Sequence, residues 1–195
     1  MTGGRALGVV VSGAAVMLAA PAAAQDVTAE RALIDELDQR LLASPTATGT
    51  LTRWCAEHGL ADPARIHAEL VTGAISPATA EQRTRLGVGP DEPLGYRRVK
   101  LMCGTHLMSE AENWYVPARL TPAMRDLLAT SDTPFGTVIR PLNPSRRNLE
   151  AVQLWREGPL PRDILRHRAL VLGGDGQPLA EVVETYKSSA LPVRR

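Results

Sequence analysis

Leu33, Leu37 and Leu41 recur every four residues, with Ile34 and Leu42 beside them. That spacing predicts a helix over residues 28–43, ended by Ser44-Pro45. A second helix starts near residues 48–50, carries Leu51, Trp54 and Cys55 on one face, and stops at Gly59. The two form a helical hairpin suited to covering one face of another layer. Residues 65–71 read two ways. Asp62-Pro63 resembles a helix N-cap followed by a first-turn proline. Yet Ile66, Ala68 and Leu70 alternate with Arg65, His67 and Glu69, the period of a strand. Residues 73–94 are rich in Pro, Gly, Ser and Thr and read as a long loop. Over residues 96–103, Val99, Leu101 and Cys103 alternate with Arg98, Lys100 and Met102, which predicts a strand. Residues 114–116 are β-prone and stop at Pro117. Thr121-Pro122 starts a helix that continues through Met124, Leu127 and Leu128. Residues 149–155 and 165–172 read as strands, Gly173-Gly174-Asp175-Gly176 as a hairpin turn, and residues 178–186 as the returning strand. Helices early and strands late give an α+β domain with a mainly antiparallel sheet.

The first 24 residues change how much of the chain enters that domain. Arg5 lies in a short start without acids, residues 9–20 are an uncharged apolar run, and Pro21 leads into Ala22-Ala23-Ala24. This predicts a signal peptide over residues 1–24 and one domain over residues 25–195, periplasmic or secreted. The alternative is an uncleaved anchor, for which the run is short. No span is expected after cleavage. Lys and Arg number 22 against 21 acids, and removing Arg5 leaves the mature chain formally neutral. A phosphate-neutralising nucleic-acid binder is therefore not expected, and 4% aromatic residues make a poor base-stacking platform. Export permits a Cys55–Cys103 bridge. It does not require one, because free cysteines are also commonly buried.

The usual catalytic signatures are missing. There is no Gly-rich phosphate loop and no nucleophile elbow. His58, His67, His106 and His167 lack ligand spacing, so no metal is expected. What remains is arginine and carboxylate set within strands: Arg98, the pair Arg146-Arg147, and Glu181 and Glu184. The two glutamates stand three apart and so face opposite sides of a sheet. Arg98 and Glu184 could form a structural ion pair. Alternatively they could grip a ligand, since arginine binds a carboxylate through two parallel hydrogen bonds.

The stretch YRRVKLMCGTHLMSEAENWYVP, residues 96–117, resembles the bacterial chorismate pyruvate-lyase family. So do TPFG at 133–136, RRNLEAVQLW at 146–155, RHRALVLGGDGQPLAEVVETY at 166–186 and TLTRW at 50–54. The order and spacing of these segments carry the resemblance, over about residues 33–191. It implies a six-stranded antiparallel sheet with flanking helices and an internal ligand cavity, and it makes residues 65–71 a strand. The same fold serves as the effector-binding half of some transcription regulators, and no DNA-binding half is expected here. By position, the family's ligand-holding Arg and Glu fall on Arg98 and Glu184. Arg98 would bind the ring carboxylate and Glu184 the ring hydroxyl, as the catalytic pair. Leu51 and Phe135 fall where the family offers backbone N–H groups to the ligand, and Arg147 is the candidate for the enolpyruvyl carboxylate. The sequence departs from the family at Asn113, where an arginine is usual, and in the longer turn over residues 104–110.

The implied reaction, elimination of pyruvate from chorismate or a close relative to give 4-hydroxybenzoate, needs no cofactor. A carbon–oxygen lyase of this kind is one reading. The other is a non-catalytic periplasmic binding protein for a small aromatic carboxylic acid. A structural envelope protein with a filled cavity is the third. The oligomeric state is not written in these residues.

Overall fold

The structure, a computed structural model, describes Met1 and residues 22–73 and 75–192. The expected leader over residues 1–24 falls outside these, apart from Met1 and the backbone of residues 22–24. Two helices open the described chain, α1 (Ala22–Leu42) and α2 (Ala47–Glu57). Then come β1 (Ile66–Leu70), α3 (Ala80–Leu86), β2 (Gly95–Cys103) and β3 (His106–Tyr115). Next are α4 (Pro122–Thr130), the short α5 (Phe135–Val138), β4 (Ser145–Gln153), β5 (Asp163–Leu172) and β6 (Pro178–Lys187). The strands form one six-stranded sheet in the order β1-β2-β3-β6-β5-β4, with every neighbouring pair antiparallel. This is the α+β architecture that the resemblance implies, and residues 66–70 are indeed a strand. Among the described residues no helix is long and apolar enough to cross a membrane.

Period-two burial sets the two faces of the sheet. On β2, Arg97, Val99, Leu101 and Cys103 are buried in alternation with half-buried Arg98, Lys100 and Met102. The buried set faces the helical hairpin. Ile34, Leu37 and Leu41 of α1 and Leu51, Trp54 and Cys55 of α2 pack with Val99, Leu101, Cys103 and Ala111 in one cluster. A second cluster on the same face joins Met124 and Leu128 of α4 and Phe135 and Val138 of α5 to Ala169, Val171, Ala180 and Val182. A disulfide between Cys55 and Cys103 ties α2 to the end of β2, with the two Cα atoms 6.5 Å apart.

Residues 73–94 are not all loop, as their composition suggested. The Thr79 hydroxyl accepts from the Gln82 backbone N–H, while the Gln82 side chain accepts from the Thr79 N–H. This reciprocal cap starts α3, and Gly87, at φ 63°, ends it in the left-handed conformation that glycine adopts without strain. The helix covers part of the sheet's other face, where Leu86 joins Trp114, Val116 and Leu170. Glu181, fully buried on that face, receives Arg85 Nε at 2.7 Å and Nη2 at 2.9 Å. Glu181 and Glu184 thus face opposite sides, as their spacing predicts. β3 is longer than the β-prone stub at 114–116, because Ser109, Glu110 and Glu112 carry pairing into a region without an apolar run.

Candidate functional site

The two clusters on the helical face do not close completely where they meet. Between them lies a small cavity, partly open to solvent. Val99, Leu101 and Ala111 line it from the first cluster, and Phe135, Ile139, Val171 and Val182 from the second. Pro45, Thr46, Ala47 and Thr48, leading into the first turn of α2, form another wall. The Thr46 side chain caps that helix by accepting from the Gly49 N–H. Gly136 lies against this turn so closely that a Cβ there would sit 3.0 Å from Thr48 Oγ1 and 3.2 Å from Thr46 Cβ. A side chain at 136 would push the two walls apart.

Three polar side chains from strands face this mostly apolar space: Arg146, Glu184 and Asn113. Arg146 Nη2 lies 2.7 Å from Glu184 Oε2, with side chains only 3% and 8% exposed. The angle of this contact is poor for a hydrogen bond, so an Nη2 N–H is left without a well-aligned acceptor among the described residues. Arg146 Nε donates to Asn148 Oδ1 at 3.0 Å. The Tyr186 hydroxyl donates to Glu184 Oε2 at 2.9 Å. Burial alone would pull the Arg146 guanidinium down. Glu184 and Tyr186 together hold it above its ordinary value. Burial, with Glu184 nearby, pushes the Tyr186 phenol well up, so it stays a donor. Asn113 Nδ2 donates to the Arg97 carbonyl at 3.3 Å, which leaves its Oδ1 as an acceptor at the cavity wall.

Behind Glu184, His167 sits opposite it in the β5–β6 register. Its ring is fully buried, and Nε2 lies 2.7 Å from Asp38 Oδ1 on α1. Burial pulls the imidazole down against the pull of Asp38, which favours the neutral ring donating from Nε2. Among the described residues no group of three His, Cys, Asp or Glu side chains converges as a metal would require.

The sequence-predicted residues divide. Glu184 and Phe135 line the cavity. Arg98 does not. It lies on the opposite face of β2, its side chain 43% exposed and 3.6 Å from Glu110. The cavity face carries Arg97 instead, by the same alternation that buries Val99 and Leu101. Arg147 is exposed beside Arg146, because adjacent strand residues point to opposite faces. Leu51 is fully buried within the first cluster, and residues 45–48, ahead of it, border the cavity. The cavity-lining cation is Arg146, which the sequence offers only as one of the pair Arg146-Arg147 at the start of a strand.

Arg97 has a separate task. Its Nη2 and Nη1 donate to the carbonyls of Ser131 and Thr133, each at 3.0 Å, and the Ala68 N–H donates to the carbonyl between them, Asp132, at 2.7 Å. Three consecutive carbonyls are thus strapped to the sheet just before Phe135 and Gly136 reach the cavity. Arg97→Met is expected to cost ~1–3 kcal/mol, the scale of hydrogen bonds to a charged donor offset by relief of a buried cation. Hydrogen exchange at the Ala68 amide should quicken. An unchanged exchange rate would show that the strap holds without the guanidinium.

No family model matches the chain. Solved structures of similar shape share little sequence with it. YydK from Bacillus subtilis is 16% identical with a TM-score of 0.45, the match covering 67% of this chain and 61% of that one. The effector domain of PhnF from Mycobacterium smegmatis is 12% identical with a TM-score of 0.47, covering 63% and 80%. A GntR-family transcriptional regulator from Enterococcus faecalis is 12% identical with a TM-score of 0.46, covering 66% and 98%. At such identities the likeness concerns the fold alone. Sequence kinship is much stronger with the uncharacterized protein y4mC of Sinorhizobium fredii (strain NBRC 101917 / NGR234). The two are 39% identical over 210 residues, which cover 91% of this chain and 89% of the relative. This chain belongs to the protein family of y4mC.

Proposed function

We propose that the protein is a binding module for a small aromatic carboxylic acid, that it works outside the cytosol, and that it leaves its ligand chemically unchanged. The observation behind this reading is Arg146, a buried guanidinium with spare donor capacity, placed at an otherwise apolar cavity. The ligand ring would lie among Val99, Leu101, Val171 and Val182. Its carboxylate would accept from Arg146, and a ring hydroxyl would donate to Asn113 Oδ1. The positive end of α2 borders the same space and favours a negative group there. The Cys55–Cys103 disulfide supports an exported location, because such bonds persist in oxidising compartments.

Pyruvate elimination from chorismate is the competing reading. Chorismate carries two carboxylates. Among the described residues, Arg146 is the only cationic side chain on the cavity wall, and Glu184 already shares it. Asn113 stands where the lyase family usually has a further arginine, and Arg98 is on the wrong face. A second buried carboxylate would therefore lack a counter-charge, which is costly. The experiment is to titrate 4-hydroxybenzoate calorimetrically and, separately, to incubate the protein with chorismate and assay pyruvate. Saturable binding with no pyruvate above the uncatalysed background is expected. Steady pyruvate release would replace this reading with the lyase.

A further inference from the structure

The proposed ligand brings a negative charge to a cavity whose own charges already cancel. Arg146 supplies one positive charge and Glu184 one negative, 2.7 Å apart. Resting on the binding reading above, we propose that the ligand binds as the neutral acid equivalent: one proton enters with each carboxylate, and Glu184 is the residue that shares it.

The geometry leaves little choice. Any group that accepts from Arg146 Nη2 comes close to Glu184 Oε2, because the two atoms are in contact. Two carboxylates on one guanidinium, with side chains nearly shut off from solvent, cannot both keep their charge at low cost. Such a pair titrates as a unit that holds one proton between its members. Among the described residues the cavity wall offers no second cation. Tyr186 OH, on the same strand, already donates to Glu184. His167, opposite on β5, is bound to Asp38 of α1, whose negative charge adds to the repulsion. The walls from β3, α2 and α5 bring Ala111, Asn113, Thr46, Thr48 and Phe135, all uncharged. The shared proton would form a short hydrogen bond between the ligand carboxyl and Glu184, with Arg146 donating to both. This chemistry selects monocarboxylic acids over dicarboxylates, since a second carboxylate would call for a second proton.

The test is calorimetric titration of 4-hydroxybenzoate in buffers of low and high ionisation enthalpy, at about pH 5.5 and about pH 7.5. Over that range the ligand is a monoanion, its phenol being near the ordinary phenolic value. The buffer dependence should report uptake of about one proton per ligand at the higher pH, and Kd should weaken about tenfold per pH unit. In Glu184→Gln, which keeps the shape but cannot ionise, uptake should vanish, and binding at the higher pH should strengthen about tenfold or more. Binding by the wild type without proton uptake would overturn the inference and leave the binding module standing. Uptake that persists in Glu184→Gln would overturn the assignment to Glu184. No binding at either pH would remove the functional reading and this inference together. The wild-type buffer series alone decides whether a proton is taken up, even if the variant fails to fold.

Discussion

Trp54→Ala is expected to lower the unfolding free energy by ~3–5 kcal/mol, the usual cost of deleting a large buried aromatic. Trp54 is fully buried, in the cluster that joins α1, α2 and the sheet. Its indole Nε1 donates to the Ala190 carbonyl at 2.8 Å, across 136 residues of sequence. The ring therefore fastens the helical hairpin to the turn that follows β6. Truncation leaves a void and an acceptor without its donor, and both effects have the same sign. Urea unfolding of the variant should show a lower midpoint with a similar slope. A midpoint within experimental error of the wild type would mean that the helices are not held through this residue.

Removing the Cys55–Cys103 bridge is expected to cost about 4 kcal/mol. The bond closes a loop with a sequence separation of 48, and loop-closure entropy in the unfolded chain gives that scale. Both cysteines are fully buried, so the paired variant Cys55→Ala/Cys103→Ala is a better probe than added reductant. The variant should unfold at a markedly lower urea concentration and still bind the ligand once folded, because neither cysteine lines the cavity. Equal midpoints, together with two titratable thiols in the oxidised wild type, would show that the bond does not form.

The fold was largely readable from residue order because burial follows the strand and helix periods. Leu33, Leu37 and Leu41 announce α1, and the alternation on β2 announces a half-buried strand. The same alternation groups Arg97, not Arg98, with Val99 and Leu101. The resemblance puts the family's ligand-holding arginine at Arg98, but this alternation turns Arg98 away from the cavity face. Arg146 was harder to place. The β4 register shifts between Asn148 and Glu150, so counting back in twos from Ala151, which pairs with His167, selects Arg147 rather than Arg146. α3 had a legible signal in Thr79, Gln82 and Gly87, masked by the loop-like composition around it. The Asp38–His167 contact joins residues 129 apart in sequence, and no local pattern in either segment indicates it.

In the proposed binding mode, Arg146 holds a ligand carboxylate in the cavity. Calorimetric titration of 4-hydroxybenzoate into wild type and Arg146→Met, at about pH 5.5 where the proposed proton is most available, tests it most directly. Melting curves of both proteins would confirm that each is folded at the titration temperature. Saturable one-site binding by the wild type is expected, weakened by ~1.5–3 kcal/mol in the variant, the scale of a hydrogen bond to a charged group. Equal affinity in two folded proteins, or no heat of binding from either, would contradict it.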